Sequence, residues 1–226
     1  ALSAYSAAYS WNIMWLDCMW LLPFIVLGLD RLVNEKRYKM YCIALALAIF
    51  SNYYIGIMLC IYSVIYFIYL ICVSDFDSEI GQIKARLLAL KDFAIYSLLA
   101  GGLAACIILP EYYNMLITKS ADTSFPDALT EYFSMLYMMF RSLICIPVAD
   151  LKYSHDPNIY STMAIFILIP LFWLCKKINV KERIGKTVMA VILLLSFSFN
   201  IPDYIWHGFH FPNSLPCRES FIYIFL

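Results

Sequence analysis

The chain has 226 residues, of which 63% are hydrophobic and 14% charged, and its formal net charge is zero. Soluble domains are about 45–50% apolar and about 25% charged, so a soluble globule of this size could not hide so much apolar surface from water. These figures exclude an ordinary soluble domain, and the lack of net positive charge argues against nucleic acid as a partner; they predict an all-α, multi-pass membrane protein with the lipid bilayer as its surroundings.

A membrane-spanning helix needs about 20 apolar residues. The chain opens on ALSAYSAAYSWNIMW, with neither an initiator Met nor a basic leader, and closes on FIYIFL, the start of another apolar run. It therefore reads as a piece of a longer protein, lacking N-terminal and C-terminal parts. In chain order, the apolar runs predict spans at Trp11–Val33, Met40–Tyr54, Ile55–Val73, Phe93–Pro110, Tyr160–Cys175 and Thr187–Ile201, with a seventh beginning near Ser220. Residues 78–91 read as an amphipathic connector on the membrane surface. Ile80, Ile83, Leu87 and Leu90 lie on one side, with Lys84 and Lys91 displaced from it.

The charges set the sides. Arg31, Lys36, Arg37 and Lys39 fall in one connecting segment, Lys84, Arg86 and Lys91 in a second, and Lys176, Lys177, Lys181, Arg183 and Lys186 in a third. Together they hold twelve of the sixteen Lys and Arg residues, which the positive-inside rule assigns to the cytoplasm. Met40–Val73 lies between two such segments and must cross an even number of times. As one helix it would rise about 51 Å, against a hydrocarbon core of about 30 Å. A helical hairpin turning at SNYYIG, with Ser51, Asn52 and Gly56 as turn formers, resolves both constraints. Glu131–Ala149 is apolar, but a crossing there would put the third basic segment outside and Arg141 in lipid. An outer interfacial or re-entrant helix is expected instead. The result is a single transmembrane domain, 1–226, with cytoplasmic loops 34–39, 74–92 and 176–186 and extracytoplasmic loops 1–10, 111–159 and 202–219.

The last of those loops, IPDYIWHGFHFPNSLPCRESF, concentrates polar chemistry between apolar runs. It offers Asp203, His207, His210, Arg218 and Glu219, on a path that Pro202, Gly208, Pro212 and Pro216 are expected to hold non-helical. A guanidinium is always charged and suits bidentate contact with phosphate; imidazole can donate to phosphate or sugar oxygens. The plainer account is an interfacial loop anchored by Trp206, Phe209 and Phe211. His207 and His210 alone make a weak metal signal, since a third ligand is missing; no cofactor is identified, and a divalent cation is left open. Near the first span, Asp17 is a carboxylate at the edge of lipid, and such groups usually have a partner or a task. Asn52 and Glu111 sit at neighbouring span ends, where a solvated helix terminus is the simpler explanation. The cysteines at 18, 42, 60, 72, 106, 145, 175 and 217 form no CxxC or metal-ligand spacing, and most sit in apolar runs as small hydrophobes. No disulfide framework is expected, although Cys145 and Cys217 could face the same compartment. No nucleophile–base pair, P-loop or zinc signature appears.

Four segments in order, ALSAYSAAYSWNIMWLDCMWLLPFIVLGLDRLV, SNYYIGIMLCIYSVIYF, ILPEYYNMLITKS and HGFHFPNSLPCRESF, resemble the bacterial membrane proteins of the YfhO type. SNYY and the HGF-x-x-PN-x-LP-x-R-x-SF pattern are the most specific; Cys217 stands where that pattern leads one to expect an aromatic. The resemblance implies a C-type glycosyltransferase-like helical bundle in the bacterial cytoplasmic membrane. It implies transfer of a sugar from a polyprenyl-phosphate donor to a cell-envelope polymer such as teichoic acid, outside the membrane. It also implies a catalytic carboxylate upstream of Ala1, so no catalytic residue is assigned in this chain. Arg218 and His207, helped by His210, are candidates for the donor phosphate, and Asp17, Asn52 and Glu111 for sugar or acceptor. The rival readings are a transporter or flippase of lipid-linked substrates, which should show broken helices in two corresponding halves, and a non-catalytic scaffold in envelope assembly.

Overall fold

The computed structural model describes residues 3–76, 81–117, 124–144, 157–212, 215 and 217–226. Among them the regular structure is helical: α1 (Ala4–Tyr9), α2 (Ile13–Glu35), α3 (Lys39–Ser51), α4 (Tyr53–Val73), α5 (Gln82–Leu103), α6 (Ala105–Ile117), α7 (Met135–Arg141), α8 (Ile165–Leu174), α9 (Val180–Ser198), α10 (Asn200–Trp206) and α11 (Ser220–Phe225). The chain forms two compact units, Met14–Ala121 and Ala1–Ile13 with Asp122–Leu226.

In the first unit, α2 buries Trp15, Cys18, Leu22, Ile25, Leu29 and Leu32, a stripe stepping by three and four residues. Its other faces expose Trp20, Phe24 and Leu27. Residues turned outward are thus as apolar as those turned inward, which suits lipid and not water. Gly28 lets α2 and α3 touch: a Cβ there would lie 2.5 Å from the Tyr41 backbone nitrogen. The expected hairpin is present. Asn52 leaves the helical region (φ −156°, ψ 105°) and its Oδ1 accepts from Ile55 N at 2.9 Å, so one residue ends α3 and caps α4. Gly56 then allows α4 against α3, with Ile49 Cα 2.9 Å from where a Cβ would sit. Phe67 stacks on Phe93 at 4.2 Å and Tyr41 bonds Ser97 at 2.7 Å, tying the hairpin to α5. Lys36 pairs with Asp92 at 3.8 Å, which brings the first two basic segments to the same end of this unit.

Several elements differ from expectation. From Gln82 on, the expected connector and the span beginning at Phe93 are one helix, α5; residues 78–80, Ile80 among them, lie outside the described residues. That helix ends at Ala104 and resumes as α6 with a bend of 79°. Helix α9 starts at Val180, inside the basic segment expected to be loop, because Asn179 caps it by accepting from Lys181 N at 3.1 Å. By length and composition α2 and α4 can cross a membrane, and α5 with α6 makes a third span if the bent pair counts as one. At 13 and 10 residues, α3 and α8 are apolar but rise only about 20 and 15 Å. The helix lengths therefore establish fewer full spans than the six expected. Within 131–149 the described helix is the short α7; residues 145–149 lie outside the described residues.

The second unit packs Met138, Ile159, Phe197 and Cys217 into a buried cluster, flanked by Phe133, Leu194 and Tyr223. Helix α1, capped by Ser3, joins this unit through Ala4 N donating to Tyr160 O at 2.9 Å and Tyr5 packing 5.5 Å from the Phe221 ring. Among the described residues the cysteines are free thiols, and Cys145 lies outside them.

Candidate functional site

The helix interruption between α9 and α10 builds the site. Phe199 is extended (φ −124°, ψ 144°), which ends α9, and its backbone forms an isolated antiparallel bridge with Glu131. Asn200 pins the neighbouring strand-like segment three ways: its N–H donates to Thr130 O at 3.1 Å, its Oδ1 accepts from Thr130 N at 2.8 Å, and its Nδ2 donates to Ala128 O at 2.9 Å. Tyr132 N donates to Ser198 O at 2.8 Å, and the Tyr132 hydroxyl thereby reaches Asp203 Oδ2 at 3.4 Å. Trp206 Nε1 donates to Ser196 Oγ at 2.8 Å and locks α10 onto α9.

Asp203 and His207 are one helical turn apart. His207 Nδ1 lies 2.8 Å from the Asp203 carbonyl and 3.0 Å from Asp203 Oδ1. Both neighbours can only accept, so Nδ1 carries the hydrogen in either charge state. The N–H is directed at the carbonyl, and the carboxylate acts chiefly as a charge beside the ring. Burial opposes the imidazolium; the Asp203 contacts and the Glu219 charge outweigh it and raise the His207 pKa.

Glu219 completes the cluster from the start of α11. Asp203, His207 and Glu219 are 2%, 1% and 0% exposed. Among the described residues neither Glu219 carboxylate oxygen has a hydrogen-bond partner. Burial pushes its pKa up to about 7, with Asp203 adding to the rise and the His207 and Arg218 charges opposing it. A carboxyl that titrates near neutrality suits proton transfer.

Arg218 is half-buried, with Nε donating to Leu215 O at 3.0 Å, and its charge is felt by Glu219, Tyr9 and His210. His210 is partly buried; burial and the charges of His207 and Arg218 hold its pKa down, so near neutral pH it is a neutral ring. Tyr9 reaches the same place from α1, hydrogen-bonded with the buried Asn158, and burial pushes its phenol up to about 12. The turn itself is strained: Phe209, Leu215 and Cys217 are non-glycine residues at φ 64°, 52° and 55°. Left-handed backbone costs roughly 1–2 kcal/mol per such residue and persists where its surroundings demand it.

The structure thus gathers Arg218, His207 and His210 into one site. Asp17, Asn52 and Glu111 belong to the other unit. There Asp17 is exposed, Asn52 is engaged as a helix cap, and the Glu111 carboxylate is hydrogen-bonded with the Tyr53 phenol. Sequence reasoning named Asp203 and Glu219 without giving them roles, and it missed Tyr9 and Tyr132. The expected non-helical path is corrected at its start. Pro202 lies in the first turn of α10, where a missing N–H costs nothing. With that helix recognised, the Asp203–His207 spacing of four would have been the signal. Among the described residues no three His, Cys, Asp or Glu side chains are placed to hold a metal ion.

Neither the curated proteins nor the solved structures yield a match to the chain. The family described as bacterial membrane protein YfhO matches over residues 1–226. With that match over its whole length, the chain belongs to the YfhO family of bacterial membrane proteins.

Proposed function

We propose that the full-length protein transfers a sugar from a polyprenyl-phosphate donor to a cell-envelope polymer such as teichoic acid, on the extracytoplasmic side of the bacterial cytoplasmic membrane. The observation that carries this reading is the position of the half-buried Arg218 guanidinium beside the buried Glu219 and His207, in one turn between apolar helices. A lipid-linked donor keeps its tail in the bilayer and its phosphate at the interface. As the sugar's anomeric carbon bonds to the acceptor oxygen, its bond to the phosphate oxygen breaks and the electron pair leaves with the phosphate. A fixed cation stabilises that charge, and Arg218 supplies it, with His207 and the neutral His210 as further donors. The acceptor hydroxyl gives up its proton to a base. Placing residues 202–219 outside follows from the cationic segments 34–39, 74–92 and 176–186 being cytoplasmic.

The transporter reading has one observation in its favour, the 79° bend between α5 and α6. Among the described residues α5 and α6 are one such bent pair, where a two-half transporter calls for two. One experiment separates the readings. Membranes containing the full-length protein receive radiolabelled polyprenyl-phosphate sugar. Incorporation into polymer supports transfer, lipid movement without incorporation supports a flippase, and neither supports a scaffold. Arg218→Ala should abolish incorporation with membrane insertion intact; undiminished incorporation removes Arg218 from the site.

A further inference from the structure

The site's charges point to a proton dependence. Two carboxylates, Asp203 and Glu219, face two cations, His207 and Arg218, so the fully ionised cluster is neutral. An anion arriving at Arg218 would then meet no net attraction. Glu219 is the member able to change this, because it is wholly buried and no other described residue hydrogen-bonds its carboxylate. A proton on Glu219 leaves the cluster with one net positive charge, the complement of one phosphodiester. We propose that this site binds a phosphodiester anion at Arg218 together with a proton on Glu219. The inference rests on the reading that the turn meets lipid-borne phosphate.

Among the described residues, α1 sets Tyr9 beside Glu219, its phenol pushed up to about 12 by burial, and the segment beside α10 sets Tyr132 against Asp203, its phenol raised by burial and by Asp203. Both stay neutral across the physiological range. Cys217 borders the same turn, and His210 is held neutral. His207 loses its charge in the same sense as Glu219 when pH rises.

The test uses the full-length protein in lipid nanodiscs and two probes whose single negative charge is fixed between pH 6 and 8: phosphatidylglycerol in the disc and dimethyl phosphate in solution. With a Glu219 midpoint about 7, wild-type affinity should fall about tenfold from pH 6 to pH 8. Glu219→Gln should lose less affinity than wild type between pH 6 and pH 8, its remaining slope following His207, and Arg218→Ala should lose binding at both. Calorimetry of the wild type in buffers of different ionisation enthalpy should show net proton uptake per anion bound, a readout that needs no variant. The slope with phosphatidylglycerol alone places the anion in the bilayer, and with dimethyl phosphate alone in water; either supports the coupling. Affinity independent of pH, zero proton uptake, or a Glu219→Gln slope equal to wild type overturns the proton coupling and leaves the phosphate reading standing. No binding of either probe at pH 6 overturns both.

Discussion

Replacing Glu219 by Gln should make the protein more stable above neutral pH and leave it little changed in acid. An unperturbed carboxyl here would titrate at 4.5, and in the folded chain Glu219 titrates at about 7 because it is sealed from water. The folded state therefore holds the proton more tightly than the unfolded state. That contribution is fully present below pH 4.5 and is lost as pH rises through about 7. The rise from 4.5 to about 7, at about 1.4 kcal/mol per tenfold change in proton affinity, puts roughly 3–4 kcal/mol against the folded state once Glu219 is ionised. Gln keeps the shape and the neutral charge of the protonated form, so the variant escapes that cost. His207, whose pKa is raised, adds a loss of the same sign as pH rises, and the variant retains it. Thermal unfolding of the full-length protein in detergent, followed by circular dichroism from pH 5 to pH 9, measures both. Domains of this size shift by roughly 2–4 °C per kcal/mol, so the Gln variant should exceed wild type by roughly 6–16 °C at pH 9 and match it at pH 5. Parallel curves for the two proteins would refute the reasoning, because they would mean that Glu219 is ionised or protonated alike in the folded and unfolded states.

Two further outcomes follow from the geometry. Gly28→Ala would drive a methyl group to 2.5 Å from the Tyr41 backbone, which cannot yield as a side-chain tip can; a loss of about 1–3 kcal/mol should appear as a lower unfolding temperature, and wild-type stability would contradict the close approach of α2 and α3. Asp203→Asn removes the charge beside Nδ1 but spares the carbonyl contact, so the His207 pKa should drop, as read by NMR titration of its ring protons, and an unmoved pKa would show that the carboxylate does not support the imidazolium.

The membrane character and the hairpin at Asn52 were legible because each rests on local chemistry: apolar run length, and a short amide side chain able to cap. The start of α2 was placed within two residues for the same reason. What the run-by-run reading lost were features in which a helix ignores a charge. Lys84, Arg86 and Lys91 lie inside α5, and Lys181, Glu182, Arg183 and Lys186 inside α9, because caps and backbone hydrogen bonds set helix ends and charged side chains can extend outward from them. In the site, Arg218 and His207 were visible as polar residues in an apolar setting. The weight of Glu219 was not, since it depends on burial and on charged neighbours from α10, and Tyr9 enters from more than two hundred residues upstream. Periodicity carries no record of such contacts. Pro202 misled for a physical reason: proline usually interrupts a helix, but in the first turn its missing N–H leaves no hydrogen bond unmade.

The account stands on the turn facing outward, where lipid-linked phosphate would meet Arg218. Phe211 is an exposed residue of that turn. A Phe211→Cys variant of the full-length protein, with native cysteines replaced, can be treated in intact cells with a membrane-impermeant thiol reagent. Labelling from outside, without permeabilisation, is the predicted result. Labelling that appears only after the cytoplasm is opened to the reagent would contradict the side, the ligand and the role assigned to Arg218 together.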